Sequence, residues 1–481
     1  MTILWYDLET WGLKPAWCPP AQFAGIRTDL DLNVVGDPVM FYAKPPSDML
    51  PEPGAVLTTG ITPQIALTEG ESEADFARRV YAEISKPGTV TSGYNTLRFD
   101  DEMLRYSFYR NLLDPYVRES YKNDLGRWDT LDLVRAARAL RPSGLQWPEV
   151  DGAPSNRLEE LTKANGIEHE GAHDALVDVR ATIALAKLVK QAQPKLYEYG
   201  WSLRNKPVVT GQLQEALASG KAIVHTTGMY PNATLNTSLA YVFAHRSDRK
   251  NEYLLYDLRY DPSEFIDLSE QDIKRRLFGS EEDRNGESRI PVKGVNVGKS
   301  PFVAPAEMLE SEAEARIQLT HAQALEHREV LIKNPEFLTL VQSVFESHEF
   351  EPNTDVDAQL YDGFPSNSDR TLLNTLSSNN PSQWSQQLPF DNPKYLRLAK
   401  RYVARNYPES LSEQDRKNWE QFRAQKLMQD SADWQTYPRF SAELQQLAKE
   451  HADSPGKIYL LEELHLYAES IYPAPATLEQ S

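Results

Sequence analysis

Ile3-Leu4-Trp5-Tyr6-Asp7-Leu8-Glu9-Thr10 reads as a β-strand that is apolar on both faces and ends in two carboxylates. Ile3 and Trp5 share one face and Leu4, Tyr6 and Leu8 the other, the signature of a strand buried inside a sheet. Side chains two apart on a strand point the same way, so Asp7 and Glu9 stand together. At about 4 Å and an effective dielectric near 20 their repulsion approaches ~4 kcal/mol. A hard divalent cation with oxygen ligands would reverse its sign. The same pair also fits a strand end emerging into water. Its partners elsewhere in the chain decide between the two.

The chain has 481 residues, enough for two to four domains. Hydrophobic residues make up 40% and charged residues 25%, as in a soluble globular protein. No apolar run approaches the ~20 residues of a membrane-spanning helix, and nothing near Met1 resembles an export signal. The expected location is cytoplasmic, with no membrane partner. Cys18 is the single cysteine, which excludes an intramolecular disulfide framework and any multi-cysteine metal cage. A formal net charge of −19 opposes non-specific binding of polyanions over the whole surface. A nucleic-acid substrate would need a confined basic and aromatic groove.

Residues 1–194 alternate strand-like and helical patterns, predicting an α/β layer structure. Strands are expected at Gln22 to Thr28, Pro38 to Ala43 and Thr89 to Gly93. Helices are expected at Ser72 to Ile84, Asp101 to Leu113, Leu131 to Leu140, Arg157 to Asn165 and about Asp174 to Gln191, with Gly166 as a stop signal. Residues 195–350 change to short strands, among them 222–225, 239–243, 253–257 and 295–297, with one helix predicted from Ala306 to Ile332. Residues 351–475 read as all-α, and 476–481 as a tail. The polar stretch Ser377 to Gln387 is the best internal loop candidate.

Two further acidic clusters accompany the first strand. Gly93-Tyr94-Asn95-Thr96-Leu97-Arg98-Phe99-Asp100-Asp101-Glu102 runs from a strand into a helix, and His173-Asp174-Ala175-Leu176-Val177-Asp178 opens the long helix. Each has an ordinary reading alone: an aspartate caps a helix, and the helix dipole favours an anion in its first turn. Spacing does not separate Asp100 from Asp101.

In combination, D-x-E, then N-x-x-x-F-D, then H-x-x-x-x-D resembles the DEDDh superfamily of 3′→5′ exonucleases. The phrases Pro19-Pro20-Ala21-Gln22-Phe23, Thr59-Gly60-Ile61-Thr62-Pro63, Leu161-Thr162-Lys163-Ala164-Asn165-Gly166-Ile167-Glu168-His169 and Asp355-Val356-Asp357-Ala358-Gln359-Leu360-Tyr361-Asp362-Gly363-Phe364 are similar to the bacterial exonuclease I family over nearly the whole chain. The resemblance implies a ribonuclease H-like exonuclease domain, then an SH3-like β domain, then an all-α domain. It implies processive 3′→5′ hydrolysis of single-stranded DNA in repair and recombination, by a monomer. It also implies docking to single-stranded DNA-binding protein through that partner's acidic tail, which on so acidic a chain would need a confined basic pocket.

The resemblance makes Asp7, Glu9, Asp100 and Asp178 the metal-binding carboxylates and His173 the catalytic histidine, and it selects Asp100 over Asp101. Phosphodiester hydrolysis needs an attacking hydroxide and a stabilised leaving oxyanion, which two metals held ~3.5–4 Å apart can supply. Two Mg2+ ions suit an all-oxygen shell, with Mn2+ a substitute. His173 can take a proton from the attacking water near neutral pH. Glu9, Thr10 and Trp11 are candidates for meeting the 3′ nucleotide, with the indole stacking on its base for ~1–3 kcal/mol. Asn95 and Phe99 belong to the second motif, and Arg98, Arg141, Arg204 and Lys206 are candidate phosphate contacts.

Gly294-Val295-Asn296-Val297-Gly298-Lys299-Ser300 imitates a phosphate-binding loop but has three residues between its glycines where that motif needs four, so a strand and turn is expected. Two other functions compete with the first. A related nuclease trimming RNA would not require the residues beyond the first domain. A non-catalytic single-strand binder would gain by replacing the carboxylates with basic residues.

Overall fold

The structure is a computed structural model that describes residues 1–119, 123–169, 174–347, 351–385 and 387–473. It divides into two compact units, Met1–Leu125 with Glu170–Arg180 and Pro352–Ser481, and Gly126–His169 with Ala181–Glu351.

In the first unit β1 (Thr2–Thr10) pairs antiparallel with β2 (Pro20–Thr28), which pairs antiparallel with β3 (Val39–Tyr42). On its other side β1 pairs parallel with β4 (Thr89–Ser92), placing Trp5 opposite Ser92. Strand neighbours on both edges make β1 an interior strand, and Ile3 and Trp5 on one face are as buried as Leu4, Tyr6 and Leu8 on the other. Four helices follow the early strands: α1 (Pro53–Thr59), α2 (Pro63–Glu69), α3 (Glu73–Ile84) and α4 (Asp100–Arg110). Leu4, Tyr6 and Leu8 join Phe23 and Phe41 in a core closed by Phe76, Val80 and Ile84 of α3 and Met103, Leu104 and Phe108 of α4. The carboxy-terminal part of this unit is helical, with helices Pro393–Asn406, Glu413–Met428, Tyr437–Glu450 and Pro455–Ser470.

A buried charge cluster also lies in this unit. The Asp48 carboxylate accepts from Arg405 Nη2 and from Lys426 Nζ, both at 2.8 Å. Arg405 also pairs with Asp357, and Asp48 and Asp357 are each 1% exposed.

The second unit contains an antiparallel sheet in the order Val292–Asn296, Glu252–Asp257, Thr237–His245, Ala222–Thr226, Phe302–Pro305. The phosphate-loop imitation is a strand running into a 3-10 helix of one turn, Val297–Lys299, as its sequence predicts. The expected helix over 306–332 is interrupted. Helix Ser311–Ile317 ends at Gln318, whose φ is +57°, and Thr320 caps a new helix His321–Lys333 by accepting from the Gln323 N–H at 3.1 Å. A residue in the left-handed region followed by a capping threonine stops one helix and starts the next. Helices Pro194–Ser202, Lys206–Ser219 and Pro335–Glu346 escaped the sequence reading. Each has proline in its first turn, where a missing N–H costs nothing.

Candidate active site

The parallel pairing of β1 with β4 sets the carboxyl end of β4, at Ser92, opposite Trp5, just before the Asp7–Glu9 segment of β1. The carboxyl ends of parallel strands are the usual place for a ligand in such sheets. The chain leaves β4 through Gly93, where a Cβ would lie 2.6 Å from the Tyr6 carbonyl oxygen and 2.2 Å from Thr96 Cγ2, so only glycine fits beside β1. Asn95 takes a left-handed conformation at φ +67°, and α4 starts at Asp100. Asp100 Oδ1 accepts from the Leu8 N–H at 3.1 Å, which fixes this carboxylate against the main chain between Asp7 and Glu9.

A further carboxylate comes from the helix Ala175–Ala192. Asp174 Oδ1 accepts from the Leu176 N–H at 2.9 Å at its start, and Asp178 lies in its first turn. One carboxylate oxygen from each of Asp7, Glu9 and Asp178 lies within 4.8 Å of the others. Among the described residues this is the one such convergence of histidine, cysteine or acidic groups.

Two of these carboxyls, Asp7 and Glu9, are strained as anions. Burial, followed by the charges of Asp100, Glu9 and Asp178, raises Asp7 well above the ordinary aspartate range. Glu9 is pushed up to about 8 by burial and then by Asp178, Asp100 and Asp174. An all-oxygen cluster of like charges in a poorly solvated corner is the donor chemistry of a hard divalent cation. The residues present therefore fit the metals expected from the sequence.

Asp101, adjacent to Asp100, is engaged differently. Its Oδ1 accepts from the Tyr6 hydroxyl at 3.1 Å and from Arg118 Nη1, and Arg118 also donates to the Tyr6 oxygen at 3.2 Å. Its charge is answered by a guanidinium, whereas Asp100 contributes to the repulsion felt by Asp7 and Glu9. Arg118 and Tyr6 were not singled out in the sequence. Arg118 carries no local signal, because its partner is 17 residues away.

The other candidates fare unevenly. His173 lies outside the described residues. The Thr10 hydroxyl donates to the Gly12 carbonyl at 2.9 Å and is largely buried. Trp11 does not present its indole for stacking. It is 1% exposed and belongs to a core with Met49, Val56, Leu427 and Phe440, because the apolar surface of the helices around it encloses the ring. Phe99 packs partly against the core beneath the sheet, and Arg98 is exposed. Arg141 is committed inside the second unit, to the carbonyls of Leu140 and Met308 at 2.7 and 3.1 Å and to Glu310 at 2.6 Å. Arg204 lies 4.0 Å from the Trp201 ring centroid and donates to the Trp201 carbonyl, and Lys206 Nζ donates to Asn251 at 2.5 Å.

Three family models match the chain in sequence: Exonuclease over residues 4–186, Exonuclease I SH3-like domain over 204–347 and Exonuclease I C-terminal domain over 354–471. Exodeoxyribonuclease I of Escherichia coli is 42% identical over 477 residues, covering 98% of both chains. Exodeoxyribonuclease I of Haemophilus influenzae is 40% identical over 469 residues, covering 96% of this chain and 97% of its own. The crystal structure of E. coli exonuclease I in complex with a dA16 oligonucleotide superposes with a TM-score of 0.92 at 41% identity, covering 98% of this chain and 99% of that one. The zinc-bound form of the E. coli complex with single-stranded DNA gives the same TM-score, identity and coverage.

Proposed function

Because this chain belongs to the exonuclease I family, we propose that it hydrolyses single-stranded DNA processively from the 3′ end, releasing 5′-mononucleotides, in DNA repair and recombination. The observation that carries the proposal is the convergence of Asp7, Glu9 and Asp178, with Asp100 held beside them by the Leu8 N–H. Relatives solved with oligonucleotides support the choice of substrate, and a zinc-bound relative supports the need for a divalent metal.

Asp7, Glu9, Asp100 and Asp178 would hold two Mg2+ ions, with Mn2+ a substitute. When bound, these ions supply the electrostatic stabilisation of the attacking and leaving oxygens that a phosphodiester requires. The chain's own residues do the rest. His173 takes the proton of the attacking water. The buried corner between β1 and α4 limits bulk water around the carboxylates, so that charge placed there interacts more strongly than in solvent. Thr10, at the end of β1, borders the place where the terminal nucleotide would enter. The same reading extends to docking on the acidic tail of single-stranded DNA-binding protein.

The test incubates purified protein with 5′-labelled single-stranded DNA, duplex DNA and RNA, in Mg2+ or in chelator, alongside Asp7→Asn. The expected result is Mg2+-dependent shortening of single-stranded DNA from the 3′ end, lost in the variant. Faster loss of RNA would refute the substrate, and chelator-insensitive cleavage would refute the metal.

A further inference from the structure

Behind the acidic site lies a fully buried group of three side chains that the hydrolytic chemistry does not use. Tyr6, Asp101 and Arg118 are each at most 2% exposed. Tyr6 precedes Asp7 on β1, and Asp101 follows Asp100 on α4. Tyr6 gives its hydroxyl proton to Asp101 Oδ1 at 3.1 Å, while Arg118 reaches the same oxygen, the Tyr6 oxygen at 3.2 Å and the Asp101 carbonyl at 3.4 Å. β1 is therefore fastened to the first turn of α4 at two points either side of Asp7: through Leu8 N–H to Asp100, and through Tyr6 to Asp101.

We propose that Arg118, acting through Asp101 and Tyr6, is a positioning residue that sets the distance between the Asp100 carboxylate on α4 and the Asp7 and Glu9 carboxylates on β1. The proposal rests on the metal-dependent reading above.

The physical argument concerns repulsion. Asp100 adds to the negative charge around both Asp7 and Glu9, so when these groups are ionised without a metal they push α4 away from β1. The guanidinium is planar, and its fork bridges both elements with directed hydrogen bonds, which a point charge would not do. A buried ion pair is weak evidence for stability. Its value here is geometric, since groups that orient metal-binding carboxylates typically change metal affinity or activity by 10–100-fold.

The test measures Mn2+ binding to the protein alone by calorimetry, and kcat and KM on a 5′-labelled oligonucleotide. It compares wild type, Tyr6→Phe, Arg118→Lys and the double variant Arg118→Met with Asp101→Asn. The double variant leaves no unpaired buried charge, and Tyr6→Phe keeps the ring that stacks on Phe23. Mn2+ affinity and kcat are expected to fall about tenfold in the double variant. Both fall a few-fold in Tyr6→Phe and further in Arg118→Lys, whose ammonium keeps the charge without the fork, with KM within twofold throughout. Wild-type Mn2+ affinity and kcat in the double variant would overturn the proposal, as would a rise in KM at constant kcat. If the double variant melts far below wild type, Tyr6→Phe decides by the same criteria. Wild-type protein that binds Mn2+ but leaves DNA intact would overturn the proposed function while the binding series still tests Arg118.

Discussion

Replacing Glu9 with glutamine removes one charge from the acidic cluster without changing its shape, and the effect on the metal-free protein has a calculable sign. Glu9 titrates at about 8 in the folded chain against an ordinary value of 4.5. Between those values the folded state binds more protons than the unfolded one, so stability falls as pH rises through that window. The full cost is present above about pH 8. At ~1.36 kcal/mol per pK unit it reaches about 5 kcal/mol, an upper figure because Asp7 and Glu9 share protons with their neighbours. A chain of this length loses about 1 kcal/mol per kelvin at its melting point when it melts as a whole. Differential scanning calorimetry in chelator should therefore show the wild-type Tm falling by roughly 5 °C between pH 5 and pH 9 from this group. Glu9→Gln should fall less and melt above wild type at pH 9. Added Mg2+ should raise the wild-type Tm more at pH 9 than at pH 5, and should raise the variant less. A variant with the wild-type pH slope, or one that melts below wild type at pH 9 in chelator, would refute the assignment of strain to this cluster.

Trp11→Ala should destabilise the first unit by about 3–5 kcal/mol in urea unfolding, because it empties a packed core. A variant of unchanged stability with a raised KM would show that the ring meets substrate after all. Gly93→Ala should force the β4–α4 turn off the Tyr6 carbonyl and displace Asp100, which Mn2+ calorimetry should detect as weakened binding; an unchanged isotherm would mean that the turn yields without moving the helix. Asp48→Ala should cost about 3–5 kcal/mol, since it leaves Arg405 and Lys426 buried with half their compensation. Burial opposes ionisation there, but Arg405 and Lys426 hold the Asp48 carboxyl well below the usual aspartate range. Its contribution is therefore present above that range and lost as the pH falls below it, so the wild-type and Asp48→Ala urea midpoints should converge in acid.

Local patterns in the chain reported on local structure. The two-residue period of β1 placed Asp7 and Glu9 on a shared face, its apolar content reported its burial, and Gly166 marked the stop after the helix Leu158–Ala164. Misreadings arose where the signal was weak or not local. Pro194, which opens a helix, read as a domain boundary, and the helical pattern over 306–332 concealed a left-handed residue at Gln318. At the candidate site, the residue types and their order along the chain were legible, because carboxylate spacing and helix starts are properties of neighbouring residues. The roles of adjacent residues were not legible from spacing, and only the family resemblance selected Asp100. Asp100 and Asp101 are chemically identical in sequence, and only the fold turns one toward Asp7 and Glu9 while a guanidinium 17 positions away neutralises the other. Trp11 reads as a stacking platform beside the acidic pair, yet helices from the far end of the chain cover it. Sequence alone determined that this protein carries an acidic, metal-compatible set of side chains on a buried strand. Tertiary structure decided which carboxylates face one another and which aromatic surfaces are already taken, because burial and charge compensation depend on partners that the chain brings together only when it folds.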